Sequence, residues 1–393
     1  MKIKKACLNN FWFLFAAYLL FWEPAYIKTQ LYWADKVFDA GNLLFLAVIL
    51  IFYAMERKIS RFDIALACMG VILMASTIFH QGPIWKCLKY LWPIAAVCLL
   101  TEMAAKENPD LMIRAQYYMC YLQVAINTLT VALLPDGLYK ANDNERQFWL
   151  GNENVFIVTI LAGLCVGYLD VLRRKKKITL DYLVFAALSL WSVVLVWSAT
   201  ALIGLTIFAA ALVCSYLISW KWLYKLKTYI AVWCAGFFGI TIFRLQYLFK
   251  PIIVNLLHKK LNLTKRTKLW DYILEAIKES PVWGYGVETA ESFSEKLGGD
   301  PHWVHAHNYI LELLIKGGVL VLAAFLALLF FTAQKLDKCI EHREAKVISI
   351  SLLAYFIVFI GDCFEMRTLF YMILALGFSC EYLIPERRGE KTV

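Results

Sequence analysis

Apolar runs of about 20 residues, the length that crosses a bilayer as a helix, follow one another through this 393-residue chain with few interruptions. A backbone inside lipid must hydrogen-bond to itself, so runs this long fold as helices rather than as an open sheet. The expected fold class is an all-α polytopic membrane protein. Composition agrees: 61% of the residues are hydrophobic and 18% charged, against roughly half and a quarter in soluble domains. The first run is not a cleavable leader, because aromatics, Glu23 and Pro24 stand where small residues would be cut.

The polar breaks predict about twelve spans. They are 11–27, 41–55, 63–79, 85–105, 111–134 and 153–172, then two either side of a turn at Ser198-Ala199-Thr200, then 228–249, 307–333, 347–361 and 368–385. Alternating through them puts Lys2, Lys4 and Lys5, the cluster at Arg57, Lys58 and Arg61, and Arg173 to Lys177 on one side. Lys221, Lys225 and Lys227, then Lys335, Lys338, Arg343 and Lys346, then Arg387, Arg388 and Lys391 join them there. Cytosolic loops collect Lys and Arg, so both termini are expected in the cytosol. This accounts for the net charge of +10 and leaves no basic soluble face for nucleic acid. The eleven cysteines lie mostly in or beside apolar runs with no C-x-x-C pair, which argues against disulfides and zinc.

The chain divides into nine spans over 1–249, one long extracytoplasmic loop over 250–306, and three spans with a cytosolic tail over 307–393. The loop is the only long polar excursion, and loops on rigid scaffolds carry function. From Thr264 the apolar positions Leu269, Trp270, Ile273, Leu274 and Ile277 keep helical spacing until Ser280-Pro281. This amphipathic helix is expected on the outer membrane surface, apolar face toward lipid, with Asn262 or Thr264 as N-cap. Arg266 then sits in a first turn, where free N–H groups favour anions, four residues from Trp270 on the same face. Lys265, Arg266 and Lys268 have two open readings: a phosphate site, or contact with lipid headgroups.

Further on come the Gly284-Tyr285-Gly286 turn and the cluster His302, His305 and His307. Spacing of two is poor for metal ligands on a helix, and no nearby Cys or Asp pair completes a set, so no metal is expected. His307 and Asn308 open the tenth span. A helix N-terminus disfavours imidazolium, so His307 reads either as a neutral general base or as an interfacial His-Asn cap. Glu312 and Lys316, four apart, are expected to pair. Asp35 and Asp39, in the first external loop, are the acids that could hold a cation.

The pattern Arg266-x-x-x-Trp270, Pro281-x-x-Gly284-x-Gly286, then His307-Asn308-x-x-Leu311 and Gly317 resembles the O-antigen ligase and polysaccharide polymerase family. Asn152-Glu153-Asn154 and the Ser198 turn are similar to it as well. The resemblance implies a C-type glycosyltransferase-like architecture in the bacterial inner membrane. It implies an extracytoplasmic site, an undecaprenyl-diphosphate-linked glycan donor, a glycan acceptor, and inversion without a cofactor or required metal. His307 would then activate the acceptor hydroxyl and Arg266 would hold the diphosphate. Asn308 and Trp270 would support them, and Lys268, Lys265, Tyr285 and His305 would line the substrate site. Two positions depart from the family: Ala199 follows Ser198 where Arg is usual, and Leu320 stands at the second glycine of a Gly-x-x-Gly. Arg244, Arg146 and Arg367 are candidates for the missing arginine. The expected activity is polymerisation of lipid-linked repeats into capsular or O-antigen polysaccharide, in contact with membrane lipids and other assembly proteins. The alternatives are ligation of a finished glycan to lipid A core, protein or wall, and a lipid-linked sugar flippase. A flippase would show paired repeats and charges inside its spans.

Overall fold

The computed structural model describes residues 2–56, 58–141, 145–174, 177–251, 266–364 and 368–384. Helices α1 (Lys2–Leu8), α2 (Phe11–Leu20), α3 (Ala25–Gln30), α4 (Tyr32–Ala54), α5 (Arg61–Phe79), α6 (Ile84–Glu107) and α7 (Pro109–Leu133) form the first part of the bundle. After a short hairpin at 139–147 come α8 (Phe156–Arg174), α9 (Leu180–Val196), α10 (Ala199–Leu217) and α11 (Leu226–Gly236). The last part holds α12 (Arg266–Glu279), α13 (Ala290–Lys296), α14 (Tyr309–Leu336), α15 (Arg343–Gly361), α16 (Thr368–Phe378) and α17 (Cys380–Leu383).

Seven of these helices are long and apolar enough to cross a membrane, and four shorter apolar ones accompany them. α7 is as long as a span but less apolar, with Gln116, Gln123 and Asn127 buried along it. α8 is almost wholly enclosed by its neighbours, whereas α4 and α10 turn most of their apolar side chains outward, as helices at a lipid-facing rim do. Exposed Trp33, Trp85 and Trp197 mark one end of the bundle, and Trp12, Trp220 and Trp222 the other, where interfacial aromatics collect.

Several expected boundaries move. The first span stops at Leu20 rather than 27, because Pro24 caps a separate helix, α3. α4 begins at Tyr32 rather than 41, so Asp35 and Asp39 lie in a helix and not in a loop. There they pair with Lys36, and Asp39 also with Lys89 at 2.5 Å. The turn at Ser198 falls where expected, with Trp197 left-handed and the Ser198 hydroxyl accepting from the Ala201 amide. The ninth span is a helix to Gly236 continued by a π-helical turn over Phe237–Ile242.

α14 is broken at Gly318 (φ 60°, ψ −162°), and the glycine motifs meet at this break. Tyr285 and Gly286 donate their amides to Ile315 and Lys316 carbonyls, both at 2.8 Å. Val319 and Leu320 donate to Pro281 and Val282. The 281–287 segment thus satisfies backbone groups that a broken helix leaves unpaired. A Cβ on Gly318 would meet the Val282 carbonyl at 2.1 Å, and one on Gly284 would meet the Gly317 amide at 2.6 Å. Only glycine fits either place. Ser76 and Thr77 of α5 clamp the same segment through the Trp283 carbonyl and the Val287 amide.

Candidate active site

His307 precedes α14 in a left-handed conformation (φ 47°), and three side chains fix its turn. Trp270 of α12, fully buried, donates its indole N–H to the Ala306 carbonyl at 2.9 Å. Glu312 accepts from the Ala306 amide at 2.8 Å and pairs with Lys316 at 2.5 Å. Asn308 caps α14 by accepting from the Leu311 amide, and donates to the Ile360 carbonyl at 3.0 Å and the Thr241 hydroxyl at 3.2 Å. Asn308 therefore ties the start of α14 to the end of α15.

That tie brings His307 to Asp362, the residue that ends α15. The His307 Nδ1 lies 3.1 Å from one Asp362 oxygen, which also accepts from the Cys363 amide at 2.9 Å. Arg266, the first residue of α12, donates to the other Asp362 oxygen at 3.2 Å and to the Gly361 carbonyl. Burial pushes the Asp362 carboxyl up. The Arg266 guanidinium and then His307 and His305 outweigh it, and hold the acid below its ordinary range. An ionised carboxylate can only accept, so Nδ1 is the donor in this contact, and in the neutral imidazole Nε2 is then the acceptor. The side chains of His307 and Arg266 are 24% and 19% exposed and that of Asp362 only 5%. The acid is the floor of the site, and the imidazole and guanidinium are its open faces. Chemically this is an imidazole oriented by a carboxylate, beside a fixed guanidinium.

Two of the expected site residues, His307 and Arg266, converge on Asp362. His305 lies tilted against His307, with ring centroids 3.9 Å apart and planes 49° from parallel. Asn308 and Trp270 are buried braces that do not face outward. The rest stand apart. Lys268 is exposed on α12 over the rings of Tyr272 and Trp303. Arg244 holds α12 through the Thr267 carbonyl and Asp271, above the Trp270 ring. Tyr285 sits in the glycine clamp, donating to the Ala276 carbonyl with Lys296 over its ring. It does not reach the His307 cluster, because its backbone is bonded into the break of α14. Arg146 reaches the Ser198 turn, donating to the Val196 carbonyl at 3.2 Å while paired with Glu153. Ser198 donates to Asn154 at 2.9 Å.

Two expectations are corrected. The apolar face of α12 does not rest on lipid, since Leu269, Trp270, Ile273 and Ala276 are buried within the protein. The helical period showed that one face is apolar but not what covers it. The histidines also do not lack an acid, because the fold brings Asp362 and Cys363 to them. Lys265, Arg367, the caps Asn262 and Thr264, Arg57, Lys175, Lys176, Arg387, Arg388 and Lys391 lie outside the described residues. Asp362 itself was not anticipated. Its only trace in the sequence is a lone acid after Gly361, at the mouth of an apolar span.

Residues 183–326 match the model of the O-antigen ligase family. Over this segment, a little over a third of its length, the chain is similar to that family. The matched stretch contains Arg266, Trp270, His307 and Asn308, while Asp362 lies beyond it. No curated protein and no solved structure matches the chain. This similarity and the apolar helices together support a multi-pass bacterial membrane protein of polysaccharide biosynthesis.

Proposed function

We propose that this chain is a polyprenyl-diphosphate-dependent glycosyltransferase whose base is His307, oriented by Asp362. The single observation that carries the reading is the 3.1 Å contact between His307 Nδ1 and the buried Asp362 oxygen. It directs the Nε2 lone pair outward, beside Arg266. In the proposed step the acceptor hydroxyl gives its proton to Nε2 as its oxygen attacks the anomeric carbon. The bond from that carbon to the diphosphate breaks, and the electron pair leaves with the lipid diphosphate. Arg266 uses N–H groups on Asp362 and the Gly361 carbonyl. Its remaining N–H groups suit the departing diphosphate, and a fixed cation is most effective where charge develops.

The same proposal gives the chain twelve spans, counting the seven long apolar helices, the four shorter ones and α7. Both termini then face the cytosol. The site faces outward, since α14 begins and α15 ends there, and Lys335, Lys338, Arg343 and Lys346 lie at their opposite ends.

We assign the transfer to polymerisation of lipid-linked oligosaccharide repeats. The second reading, ligation of a finished glycan to another acceptor, is favoured by the family's own description. Reconstitution with lipid-linked repeats separates them: a ladder marks the polymerase, a single product the ligase. His307→Ala is expected to lower transfer by about 10²–10⁴-fold, the usual contribution of a positioned base, with unchanged protein level. Normal chain lengths in that variant would overturn the assignment.

A further inference from the structure

Among the described residues, one donor atom from each of His305, His307 and Asp362 lies within 4.8 Å of the other two. Spacing of two residues is unfavourable for paired ligands on a helix. These histidines are not on one: the left-handed turn at His307 folds its ring against that of His305. A thiol stands beside them, with Cys363 Sγ 3.4 Å from His305 Nδ1 and 3.5 Å from a Glu312 oxygen. The turn is braced by Trp270, Glu312 and Asn308, so the donors are gathered before any ion arrives.

We propose that His305, His307 and Asp362 bind a late first-row divalent ion such as Zn²⁺, and that the bound ion switches off glycan transfer. Two imidazoles and a carboxylate, with a thiol at hand, suit zinc, cobalt or copper. Magnesium and calcium prefer oxygen ligands. The ion would occupy a nitrogen of His307 and the carboxylate that orients it, removing the base. Arg266 already shares Asp362 and repels a dication, which makes the ion exchangeable rather than a fixed structural part. The binding stands on geometry alone; the inhibition rests on the role given to His307 above.

The test uses the full chain in detergent, stripped with a chelator, and two separate readouts. In equilibrium dialysis against zinc chloride, without substrate, wild type is expected to hold about one ion per chain. His305→Ala and His305→Gln are expected to weaken that binding by at least about tenfold, since losing even an outer-shell partner costs that much. Cobalt in place of zinc is expected to give a four-coordinate absorption spectrum. A thiolate band that disappears in Cys363→Ser would identify the fourth ligand. In the transfer assay, zinc is expected to inhibit stripped wild type, a chelator to restore it, and magnesium to do neither. Equal zinc binding by wild type and both His305 variants overturns the site. Because zinc binding raises the melting temperature of a folded site, a wild-type melting temperature indifferent to zinc overturns it even if the variants fail to fold. Tight binding with undiminished transfer overturns the inhibition. A chelated enzyme that works equally well as His307→Ala overturns the base assignment and leaves the binding intact.

Discussion

Asp170 and Asp362 are both buried aspartates held between two basic side chains, at opposite ends of the bundle. Asp170, in the last turns of α8, lies 3.1 Å from Arg174 and 3.8 Å from Arg114. Asp362, just past α15, lies 3.2 Å from Arg266 and 3.1 Å from His307. Their side chains are nearly equally enclosed, 7% and 5% exposed. What differs is the company. Both partners of Asp170 are guanidines, which stay charged, so that pair can only hold the helix end in place. One partner of Asp362 is an imidazole, which can take or give a proton. Its backbone neighbours are fixed as well: the Cys363 amide on one side, Asn308 bridging α14 and α15 on the other. A buried ion pair becomes chemistry when one member can change its proton count and the frame around it cannot move.

The contrast breaks most sharply at Asp362→Asn. Transfer is expected to fall about 10²-fold or more, because an amide no longer fixes the imidazole tautomer. Stability should fall too, with a defined pH signature. The folded Asp362 titrates below its ordinary value, so its stabilising effect is complete above the unfolded pKa of about 3.9 and is lost as pH falls through the depressed folded value. Denaturation in detergent at neutral pH should therefore separate wild type from variant, and the gap should narrow below about pH 4. A gap independent of pH would mean that Asp362 is not held ionised by its neighbours.

A smaller effect is expected from Trp270→Phe, which keeps an aromatic ring but loses the indole N–H bond to the Ala306 carbonyl and part of the buried volume. Melting should register about 2 kcal/mol, from the lost bond and the small cavity together, and transfer should drop only in part, as the His307 turn loosens. Full activity would mean that the turn is held without Trp270. The smallest effect belongs to Asp170→Asn, with transfer rates unchanged and stability altered by about 1 kcal/mol or less, since its arginines are partly solvated. A large loss of transfer there would erase the distinction between the two ends.

Much of this fold is legible in the sequence because lipid leaves the backbone few choices. Apolar length finds nearly every long helix, and Ser198 marks the hairpin that divides one overlong run. Arg266 and His307 are legible because cations and imidazoles are conspicuous next to apolar spans. Asp362 is not, because its partner in the site is 55 residues earlier in the chain. Only the packing of α14 against α15 shows that the two ends meet. The glycines were visible without their purpose: Gly284 and Gly318 matter together, as two edges of one backbone junction. The amphipathic period of α12 was read correctly, and its environment was not. An apolar stripe looks the same in sequence whether it rests on lipid or on a neighbouring helix.

Arg266 and Asp362 are separated by 96 positions along the chain. A nascent polypeptide can therefore insert ten helices before these two side chains meet. The cluster of Arg266, His307 and Asp362 comes into being only when translation has passed residue 362 and α15 has turned its end toward α14. On the proposed reading, biosynthesis thus carries its own safeguard, since a truncated or stalled chain lacks the oriented imidazole until the bundle reaches residue 362.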